Sequence, residues 1–524
     1  MEKLRIDGII RKITKVAEQL QIIPILRFNI MSKTRLKVLF LAAEAEPFVK
    51  IGGLGDIAGS LPQALRALTF EDRQKYSDID ARLVIPFHGA IQRQAYPLRN
   101  EAVFDIPTSE GSIQAEVLST IVNGVPVYLI CGEPISRDAP VYSGDKLADG
   151  NKFTFFSLAA LQMAKVLKWR PDIIHANDWH TAIALYALKI YADAFYNKTS
   201  SVLSLHNLPF LGEGTSKILA KYGIPPLEIP EMPEWARHMP LPLGLWSTDS
   251  IVAVSPTYAK EILTPEFGSG LNNFLKTRQD AISGILNGIN IDRWNPARDP
   301  ALEANFNKDT LEIRQDNKTA LLREFNFSPD PAIPLLAMVT RFDNQKGVDL
   351  LPEALHLLSH LPWRLIILGT GLPDLERTIQ QLESVYPSRF RAAIRFDDQL
   401  SRRIYAGADM LLIPSRYEPC GLTQMIAMRY GCIPVARATG GLVDTIFDNI
   451  PDKPNTGFLF NQANASQMVD AIQRAMQAFS EKDNWRTIQR NGMSQDFSWE
   501  RSAKQYADLY FSLCDRKRVK LITP

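Results

Sequence analysis

The sequence predicts an α/β protein made of two doubly wound domains. From Leu36 onward, short apolar runs alternate with helical stretches, which is typical of parallel strands covered by helices on both faces. The pattern restarts after NGINIDRWNPARDP, a polar stretch with prolines that has the character of a linker. A chain of 524 residues also exceeds what one hydrophobic core usually supports, so two domains are expected.

The apolar runs define the elements in order. In the first domain, expected over residues 35–290, the strands are KVLFLAAEA, ARLVIPF, PDIIHAND and SVLSLHN, and the helices include IAGSLPQALRAL and TAIALYALKIYADAF. In the second, expected over 291–496, the strands are PLLAMVT, WRLIILGTG, AAIRF, DMLLIPS and CIPVARATGG. The tail, residues 497–524, includes the amphipathic DFSWERSAKQYADLYFSLC and predicts a closing helix.

The first residues, 1–34, are expected to form an appended extension. Isoleucine, valine and leucine recur at helical spacing from Ile6 to Leu20, with lysine and arginine between them. This stripe is compatible with a weak membrane-surface or partner helix. The alternative is a dispensable helix or an upstream start codon, because Met31 begins a natural N-terminus just before the first strand. A secretory signal would need an unbroken apolar segment, which is not present.

Composition excludes several classes of protein. The 59 basic and 57 acidic residues give a net charge of +2, so nucleic acid is not expected as a partner. Four cysteines without C-x-x-C spacing predict neither a disulfide framework nor a zinc cluster, and they fit a reducing cytoplasm. No run of about 18 apolar residues is present, so no membrane span is expected.

The unusual loops all follow predicted strands. In such sheets, ligands bind beyond the carboxyl ends of the strands, so loops from both domains predict one shared cleft. The first of these loops, KIGGLGD, is rich in glycine, which lets a ligand approach the backbone closely. It matches neither the dinucleotide fingerprint nor the P-loop, and a tight turn is an equal alternative. GTG at 369–371 is too short to be a fingerprint by itself.

Two loops of the second domain carry charged groups. In TRFDNQKG, Arg341 and Lys346 precede a predicted helix, and two cations there would suit a diphosphate; a chance pair in a solvated loop is the alternative. In PSRYEPCGLTQ, Glu418 lies in a turn before a helix expected near Leu422. Its carboxylate could accept hydrogen bonds from sugar hydroxyls, or it could simply cap the helix.

Two loops of the first domain carry histidines and an acid. In HANDWH, the side chains of His175, Asp178 and His180 are of the types that bind metals, but their spacing fits no zinc helix motif. We therefore expect no metal there. Asp178 and His206, the latter in SLHN, follow successive strands and are expected to line the same cleft, although a lone histidine is often a hydrogen-bonding residue of the core.

The motifs together are far more specific than any one of them. KIGGLGD, HANDWH, SLHN, VSPTYAKEI, NGINIDRWNP, TRFDNQKG, PSRYEPCGLTQ and ATGGLVDT, in this order, resemble the bacterial glycogen synthase and plant starch synthase family from Lys37 onward. The resemblance implies the GT-B fold, with two Rossmann-like domains facing across a cleft and a C-terminal helix that crosses back to the first domain. It also implies transfer of glucose from ADP-glucose to the nonreducing end of an α-1,4-glucan with retention, without a metal or cofactor.

The same resemblance assigns roles to single residues. On the donor side, Lys50 would face the diphosphate, Arg341 and Lys346 would clamp it, Glu418 would hold the donor glucose and Phe396 would stack on the base. The remaining donor-side positions that the resemblance implies are Gly53, Asp56, Gly369, Gly421, Leu422 and Thr423. Asp178 and His206 would position the glucose on the acceptor side. No second carboxylate is evident as a nucleophile, which favours front-face attack.

The sequence departs from the family at four positions. Ile51 replaces a common threonine, Phe210 and Leu211 replace a tyrosine-glutamine pair, and Lys152 replaces an arginine. The segment PPLEIPEMPEWARHMPLPLGLW is also unusual and is expected to reshape the mouth of the cleft. These changes leave two alternatives open. One is a retaining GT-B transferase with another donor or acceptor, similar to sucrose synthase, and the other is an inactive protein that binds glucan or nucleotide sugar.

Overall fold

A computed structural model describes residues 34–69 and 76–522. The expectations for residues 1–33 fall outside this part of the chain. Within it, no helix is long and apolar enough to cross a membrane. The described elements form two separate sheets, and the two doubly wound α/β domains predicted from the sequence are confirmed.

The first sheet has nine strands in the order β3-β4-β5-β2-β1-β6-β7-β8-β9. Its strands are β1 (Thr34–Leu41), β2 (Tyr76–Pro86), β3 (Arg99–Thr108), β4 (Gly111–Val122), β5 (Val125–Gly132), β6 (Ile173–Asn177), β7 (Ser200–Leu205), β8 (Ser250–Ala253) and β9 (Ile282–Gly284). The helices of this part are α1 (Gly53–Ala67), α2 (Lys146–Val166), α3 (Asp178–Tyr191), α4 (Ser216–Lys221), α5 (Pro240–Ser247), α6 (Pro256–Glu261) and α7 (Asn272–Thr277).

Strands β3 and β4 were not predicted. They pair antiparallel with each other, and β4 pairs antiparallel with β5. The turn between β4 and β5 contains Asn123 and Gly124, both with positive φ, which is the dipeptide favoured in two-residue hairpins. This hairpin extends the parallel part of the sheet at the β2 side, because β2 pairs parallel with β5.

The second sheet has six strands in the order β12-β11-β10-β13-β14-β15, and every pair is parallel. Its strands are β10 (Leu335–Val339), β11 (Arg364–Gly369), β12 (Phe390–Ile394), β13 (Met410–Ile413), β14 (Ile433–Arg437) and β15 (Phe458–Phe460). The helices that follow the first sheet are α8 (Arg314–Glu324), α9 (Leu351–Leu357), α10 (Pro373–Val385), α11 (Asp398–Gly407), α12 (Thr423–Arg429), α13 (Gly440–Thr445), α14 (Ala465–Ser480), α15 (Lys482–Met493) and α16 (Trp499–Ile522).

Burial of both sheet faces explains why these strands read as continuous apolar runs. All residues of β6, β7, β8 and β13 are buried, as expected for parallel strands covered by helices. Two helix layers therefore hold each sheet rigid, and the loops at the carboxyl ends of the strands are positioned by these buried strands.

The last helix, α16, packs on the first sheet rather than on the second. Its Tyr506 and Tyr510 are fully buried in the cluster that contains residues of β1 and α1. The Tyr510 hydroxyl lies 2.6 Å from Nδ1 of His175, and the Ser502 hydroxyl donates to the carbonyl of Leu286 at 2.6 Å. The chain therefore returns to its first half at the end. The domain boundaries at residues 290 and 496 stay a prediction.

Candidate active site

The loops singled out in the sequence meet where the two sheets present the carboxyl ends of their strands. KIGGLGD follows β1, and PSRYEPCGLTQ follows β13. A Cβ atom built on Gly53 would lie 3.9 Å from Cδ1 of Leu422, so these two loops are opposed at van der Waals distance. The two halves of the candidate donor site thus come from different domains.

A buried carboxylate that sequence reasoning missed holds the KIGGLGD loop. Glu44, 1% exposed, accepts hydrogen bonds from the backbone N–H groups of Ile51 and Gly52, the latter at 3.0 Å. Burial raises the pKa of Glu44, while the amides of this loop and the Tyr142 hydroxyl oppose that rise. The partners of Glu44 are main-chain amides, which every residue type except proline supplies. The residue types of the loop therefore do not indicate that Glu44 holds it.

The glycines of the loop have separate explanations. A Cβ on Gly55 would lie 3.0 Å from the side chain of Lys50, and one on Gly52 would lie 3.3 Å from the Glu44 carboxylate. Close packing therefore accounts for these two, whereas Gly53 faces the opposite domain. Lys50 forms an ion pair with Asp56 at 2.6 Å, and this pair connects the start of the loop to its end. Burial raises the pKa of Asp56, and the Lys50 charge opposes this rise.

Asp178 and His206 lie beside each other, and their place in lining the cleft stays a prediction. Asp178 opens α3 with a φ of 51°, and its carboxylate accepts from the backbone N–H of His206 at 2.8 Å and of Asn207 at 3.4 Å. Burial raises the pKa of Asp178 to about 7, although these amides favour the ionised form. Burial also lowers the pKa of His206 to about 3, so the imidazole is neutral at physiological pH.

The hydrogen bonds of His206 fix its tautomer. Asn177 donates its side-chain amide to the carbonyl of Leu41 at 2.8 Å, so its Oδ1 is free to accept from Nε2 of His206 at 2.8 Å. The proton therefore lies on Nε2, and Nδ1 carries a lone pair. Nδ1 is buried and has no hydrogen-bond partner.

The two histidines of HANDWH have structural roles. His175 is fully buried, with Nδ1 2.6 Å from the Tyr510 hydroxyl and Nε2 2.7 Å from the Ser204 hydroxyl. The ring of His180 packs against those of Phe153 and Trp179. Among the described residues, 34–69 and 76–522, no cluster of three potential metal ligands is found.

On the second-domain side, the site is charged. Lys346 and Glu418 form an ion pair at 2.6 Å, and Ser415 donates to the same carboxylate oxygen at 2.9 Å. The structure thus brings together a lysine after β10 and an acid after β13. Arg341 lies in the same loop as Lys346 but is 66% exposed, with Asp343 at 3.2 Å. Both cations are therefore paired with an acid of the same domain, and the Arg341 guanidinium is the more exposed of the two.

The turn after Glu418 is held by close backbone contacts. Gly421 has a φ of 70°, and α12 begins at Thr423, one residue after the predicted start at Leu422. Gly440, with a φ of 46°, leaves no room for a side chain, because a Cβ there would lie 2.0 Å from the carbonyl oxygen of Glu418. The ATGG motif therefore supports the loop that carries Glu418.

Two predicted donor residues lie in different settings. A Cβ on Gly369 would lie 1.8 Å from the carbonyl oxygen of Thr340, so this glycine is required where the chain leaves β11 beside β10. Phe396 follows β12 and is 87% exposed, so its ring is free to stack on a planar group. Direct contact of either residue with a nucleotide stays a prediction.

The departures from the family pattern divide into two groups. Ile51 and Phe210 are exposed by 63% and 58%, so they can meet a ligand. Lys152 and Leu211 are buried. Lys152 pairs with Asp149 at 2.9 Å and donates to backbone carbonyls in the segment that carries Tyr142. The change from arginine to lysine thus affects a buried contact that supports the Glu44 region.

The motif VSPTYAKEI forms the contact between the domains beside the site. Ser255 donates its hydroxyl to the carbonyl of Pro419 at 2.7 Å, and Thr257 forms two hydrogen bonds with the carboxylate of Asp444. Glu261 accepts from the N–H of Gly440 at 2.9 Å. Sequence reasoning used this motif only as part of the resemblance and missed its role in joining the domains.

Comparisons with known proteins agree with this geometry. The family model described as the starch synthase catalytic domain matches residues 37–277, and the model of glycosyl transferases group 1 matches 324–491. Glycogen synthase of Aromatoleum aromaticum is 40% identical over 91% of this chain and 97% of that protein. Glycogen synthase of Clostridium perfringens is 37% identical over 91% and 98%, respectively.

Solved structures show the same relationship. The catalytic domain of starch synthase IV from Arabidopsis thaliana, bound to ADP and acarbose, superimposes with a TM-score of 0.82 at 32% identity and covers 92% of this chain and all of that one. Sucrose-phosphate synthase from Thermosynechococcus elongatus, at 18% identity and a TM-score of 0.56, shares the fold alone. The predicted GT-B fold is confirmed. The chain belongs to the glycogen and starch synthase family of glucosyltransferases.

Proposed function

We propose that this enzyme transfers glucose from ADP-glucose to the nonreducing end of an α-1,4-glucan with retention of configuration. The observation that carries the proposal is the Lys346–Glu418 pair, at 2.6 Å, in the domain that presents Leu422 to the KIGGLGD loop. One cation and one anion, side by side, suit a ligand with a diphosphate at one end and sugar hydroxyls at the other.

The cations of this site act on the leaving group. As the bond between the anomeric carbon and the phosphate oxygen breaks, negative charge grows on the departing diphosphate. Lys346 and the exposed Arg341 neutralise this charge, which stabilises the transition state more than the ground state. Lys50 approaches from the first domain. The amides near Gly421, Leu422 and Thr423 supply further donors to the phosphates.

Retention follows from front-face attack. The acceptor hydroxyl forms its bond to the anomeric carbon on the side from which the diphosphate departs, and its proton passes to the departing phosphate oxygen. Glu418 accepts hydrogen bonds from the hydroxyls of the donor glucose in this proposal. Asp178 accepts hydrogen bonds from two backbone N–H groups, and burial raises its pKa. It is therefore poorly suited to be an ionised nucleophile.

The first-domain side positions sugar through neutral groups. Asp178 accepts from the backbone N–H of His206, which holds the two residues beside each other. Both side chains come from adjacent strand ends of a rigid sheet, which suits them to orient a glucose unit. The choice of ADP rests on the family and on the ADP bound to starch synthase IV, since stacking on Phe396 would not distinguish between bases. A cytoplasmic location also stays a prediction.

The test is incorporation of label from nucleotide sugars. Purified protein is incubated with radiolabelled ADP-glucose or UDP-glucose, together with glycogen, a short maltooligosaccharide or free glucose. We expect label from ADP-glucose in a glucan that β-amylase degrades, since that enzyme requires α-1,4 linkages at the nonreducing end. The variant Lys346→Met is the matched negative control.

Other products would select the alternatives. Label in a disaccharide formed from free glucose would favour a transferase with another acceptor, and preferred use of UDP-glucose would overturn the donor. Glucan binding without incorporation from either donor would identify a binding protein that lacks catalysis. The departures at Ile51 and Phe210, both exposed, make the acceptor arm of this experiment the most informative.

A further inference from the structure

We propose that Arg293 is a positioning residue that ties together the two halves of the donor site. The inference rests on the proposed function, because it assigns a role to the cleft between the domains. Arg293 lies between β9 and α8, in the segment that links the two sheets. It belongs to the motif NGINIDRWNP, and the resemblance assigns it no role.

The guanidinium of Arg293 reaches both domains at once. One nitrogen contacts a carboxylate oxygen of Glu46, and the other lies 3.2 Å from Oδ1 of Asp398. The planar fork of arginine can serve two carboxylates in fixed directions, which a lysine ammonium on its flexible stem does less well. One side chain therefore joins a first-domain acid to a second-domain acid.

The first-domain end of this bridge is part of the KIGGLGD assembly. Glu46 donates its backbone N–H to the carbonyl of Gly55 at 2.9 Å, and a Cβ on Gly59 would lie 2.4 Å from the Glu46 carbonyl oxygen. The backbone of Glu46 is thus locked to the start of α1. The charges of Glu46 and Arg293 also act on Asp56, with opposite effects on its pKa. A displacement of Glu46 would displace the loop that carries Lys50.

The second-domain end lies beside the proposed base-stacking residue. Asp398 opens α11, two positions after Phe396. Its other oxygen accepts from Arg402 at 3.2 Å, and Arg402 in turn donates to the backbone carbonyl of Arg293 at 2.9 Å. Asp398 and the backbone of Arg293 are therefore fixed to each other, and the Arg293 side chain extends from this base to Glu46.

The contacts of Arg293 indicate that its side chain has one function, which is to hold the two loops of the donor site at a fixed distance. The bridge sets the separation between the loop that faces the diphosphate and the loop that faces the base, so it pre-organises the site for the whole nucleotide. An interaction that is equally present with substrate and with transition state affects binding and not turnover. Loss of the bridge should therefore raise Kd and KM for the donor and leave kcat nearly unchanged.

The experiment compares Arg293→Ala, Glu46→Gln and the double variant by titration calorimetry with ADP and by kinetics with ADP-glucose. We expect each single variant to raise Kd and KM about fivefold, as for loss of a partly exposed ion pair. The double variant should match the single ones, because both remove the same bridge. Arg293→Lys should recover part of the loss.

Arg298→Ala is the matched control. Arg298 forms an ion pair with Asp292 in the same linking segment, and both side chains are mostly exposed. This variant should bind ADP as the wild type does. Additive effects of Arg293→Ala and Glu46→Gln, or a fall in kcat with unchanged KM, would overturn the bridge.

Hydrogen exchange separates failure of this inference from failure of the proposed function. In the nucleotide-free protein, Arg293→Ala should accelerate amide exchange in peptides that cover 46–56 and 395–400, whereas Arg298→Ala should not. A wild type that fails to bind ADP would contradict the donor assignment, and the exchange result would still decide the bridge. Unchanged exchange in both peptides would contradict it.

Discussion

The two sides of the cleft differ in how they handle charge. On the first-domain side, Asp178 is buried and His206 is half-buried, and removal from water shifts both pKa values toward the neutral forms. On the second-domain side, Lys346 and Glu418 face each other as an ion pair, and Arg341 is largely exposed. We expect the first side to recognise a ligand by hydrogen-bond geometry and the second side to recognise it by charge.

The difference follows from what surrounds each group. Asp178 is satisfied by backbone amides, so it has no cation to keep it ionised when it is removed from water. Glu418 has both a cation and a hydroxyl within 3 Å. The neutral side therefore suits a polyhydroxyl acceptor, while the charged side suits a phosphate ester whose charge grows during reaction.

The largest expected effect comes from removing the half-buried cation of the charged side. Lys346→Met should lower kcat about 100- to 1,000-fold, as for loss of one group that stabilises developing negative charge. Melting temperature should also fall, since Glu418 is left buried without its cation. Steady-state kinetics on folded enzyme, with circular dichroism to verify the fold, measures the effect.

An ion pair whose two members are both buried provides the control for this change. Lys318 and Asp409 lie 2.7 Å apart and are buried at the opposite end of the second sheet's strands, away from the cleft. Lys318→Met should destabilise the protein yet leave kcat within about threefold, because no reacting group lies nearby. A Lys346→Met enzyme that keeps more than a tenth of wild-type kcat would break the assignment of the charged side.

Asp178→Asn tests the neutral side through the pH dependence of stability. The folded pKa of Asp178, about 7, lies above its value in the unfolded chain, so its stabilising contribution is complete at acid pH and is lost as pH rises toward 7. Between pH 5 and pH 8 the wild type should lose about 2 to 3 kcal/mol through this group. Asparagine retains the amide contacts and does not titrate.

The measurement is urea unfolding of wild type and Asp178→Asn at pH 5 and pH 8. The free energy of unfolding of the variant, relative to wild type, should be higher at pH 8 than at pH 5. An equal difference at the two pH values would show that Asp178 is ionised throughout, which would remove the contrast between the two sides.

How far the sequence predicts this site depends on the kind of partner that each residue has. Lys346 and Glu418 were found because charged residues after buried strands stand out, and the strand-end rule brings them to one cleft. Their pairing across 72 positions of sequence was not predicted. Glu44 was missed because it binds main-chain amides, which every residue type supplies.

Lys152 shows the opposite error. In the sequence, the change from arginine stands among the departures that leave another donor or acceptor open, but the side chain is buried against Asp149 three positions earlier and against backbone carbonyls. Sequence position beside a motif does not tell which face of α2 a residue occupies when nearly all faces are buried. The β4–β5 hairpin, by contrast, is indicated in the sequence by the turn dipeptide Asn123–Gly124.

His206→Asn tests the second member of the neutral side, with the opposite sign. The folded pKa of His206, about 3, lies below its unfolded value of 6.5, so its contribution to stability is complete above pH 6.5 and is lost as pH falls toward 3. Between pH 7 and pH 5 the wild type should lose about 2 kcal/mol through this group. Chemical denaturation at both pH values should show a smaller loss in the variant. The same loss in both proteins would mean that His206 accepts a proton in the fold.

The smallest effect is expected at the exposed cation of the charged side. Arg341 is 66% exposed and hydrated, so Arg341→Ala should lower kcat only about tenfold, well below the effect at Lys346. Its contribution should also be screened by salt: raising the ionic strength should increase KM for ADP-glucose less in Arg341→Ala than in wild type. Arg377, which is 68% exposed in the same domain, is the control, and Arg377→Ala should keep the wild-type salt dependence. Equal salt dependence in wild type and Arg341→Ala would mean that the guanidinium does not meet the diphosphate, and the charged side would then rest on Lys346 alone.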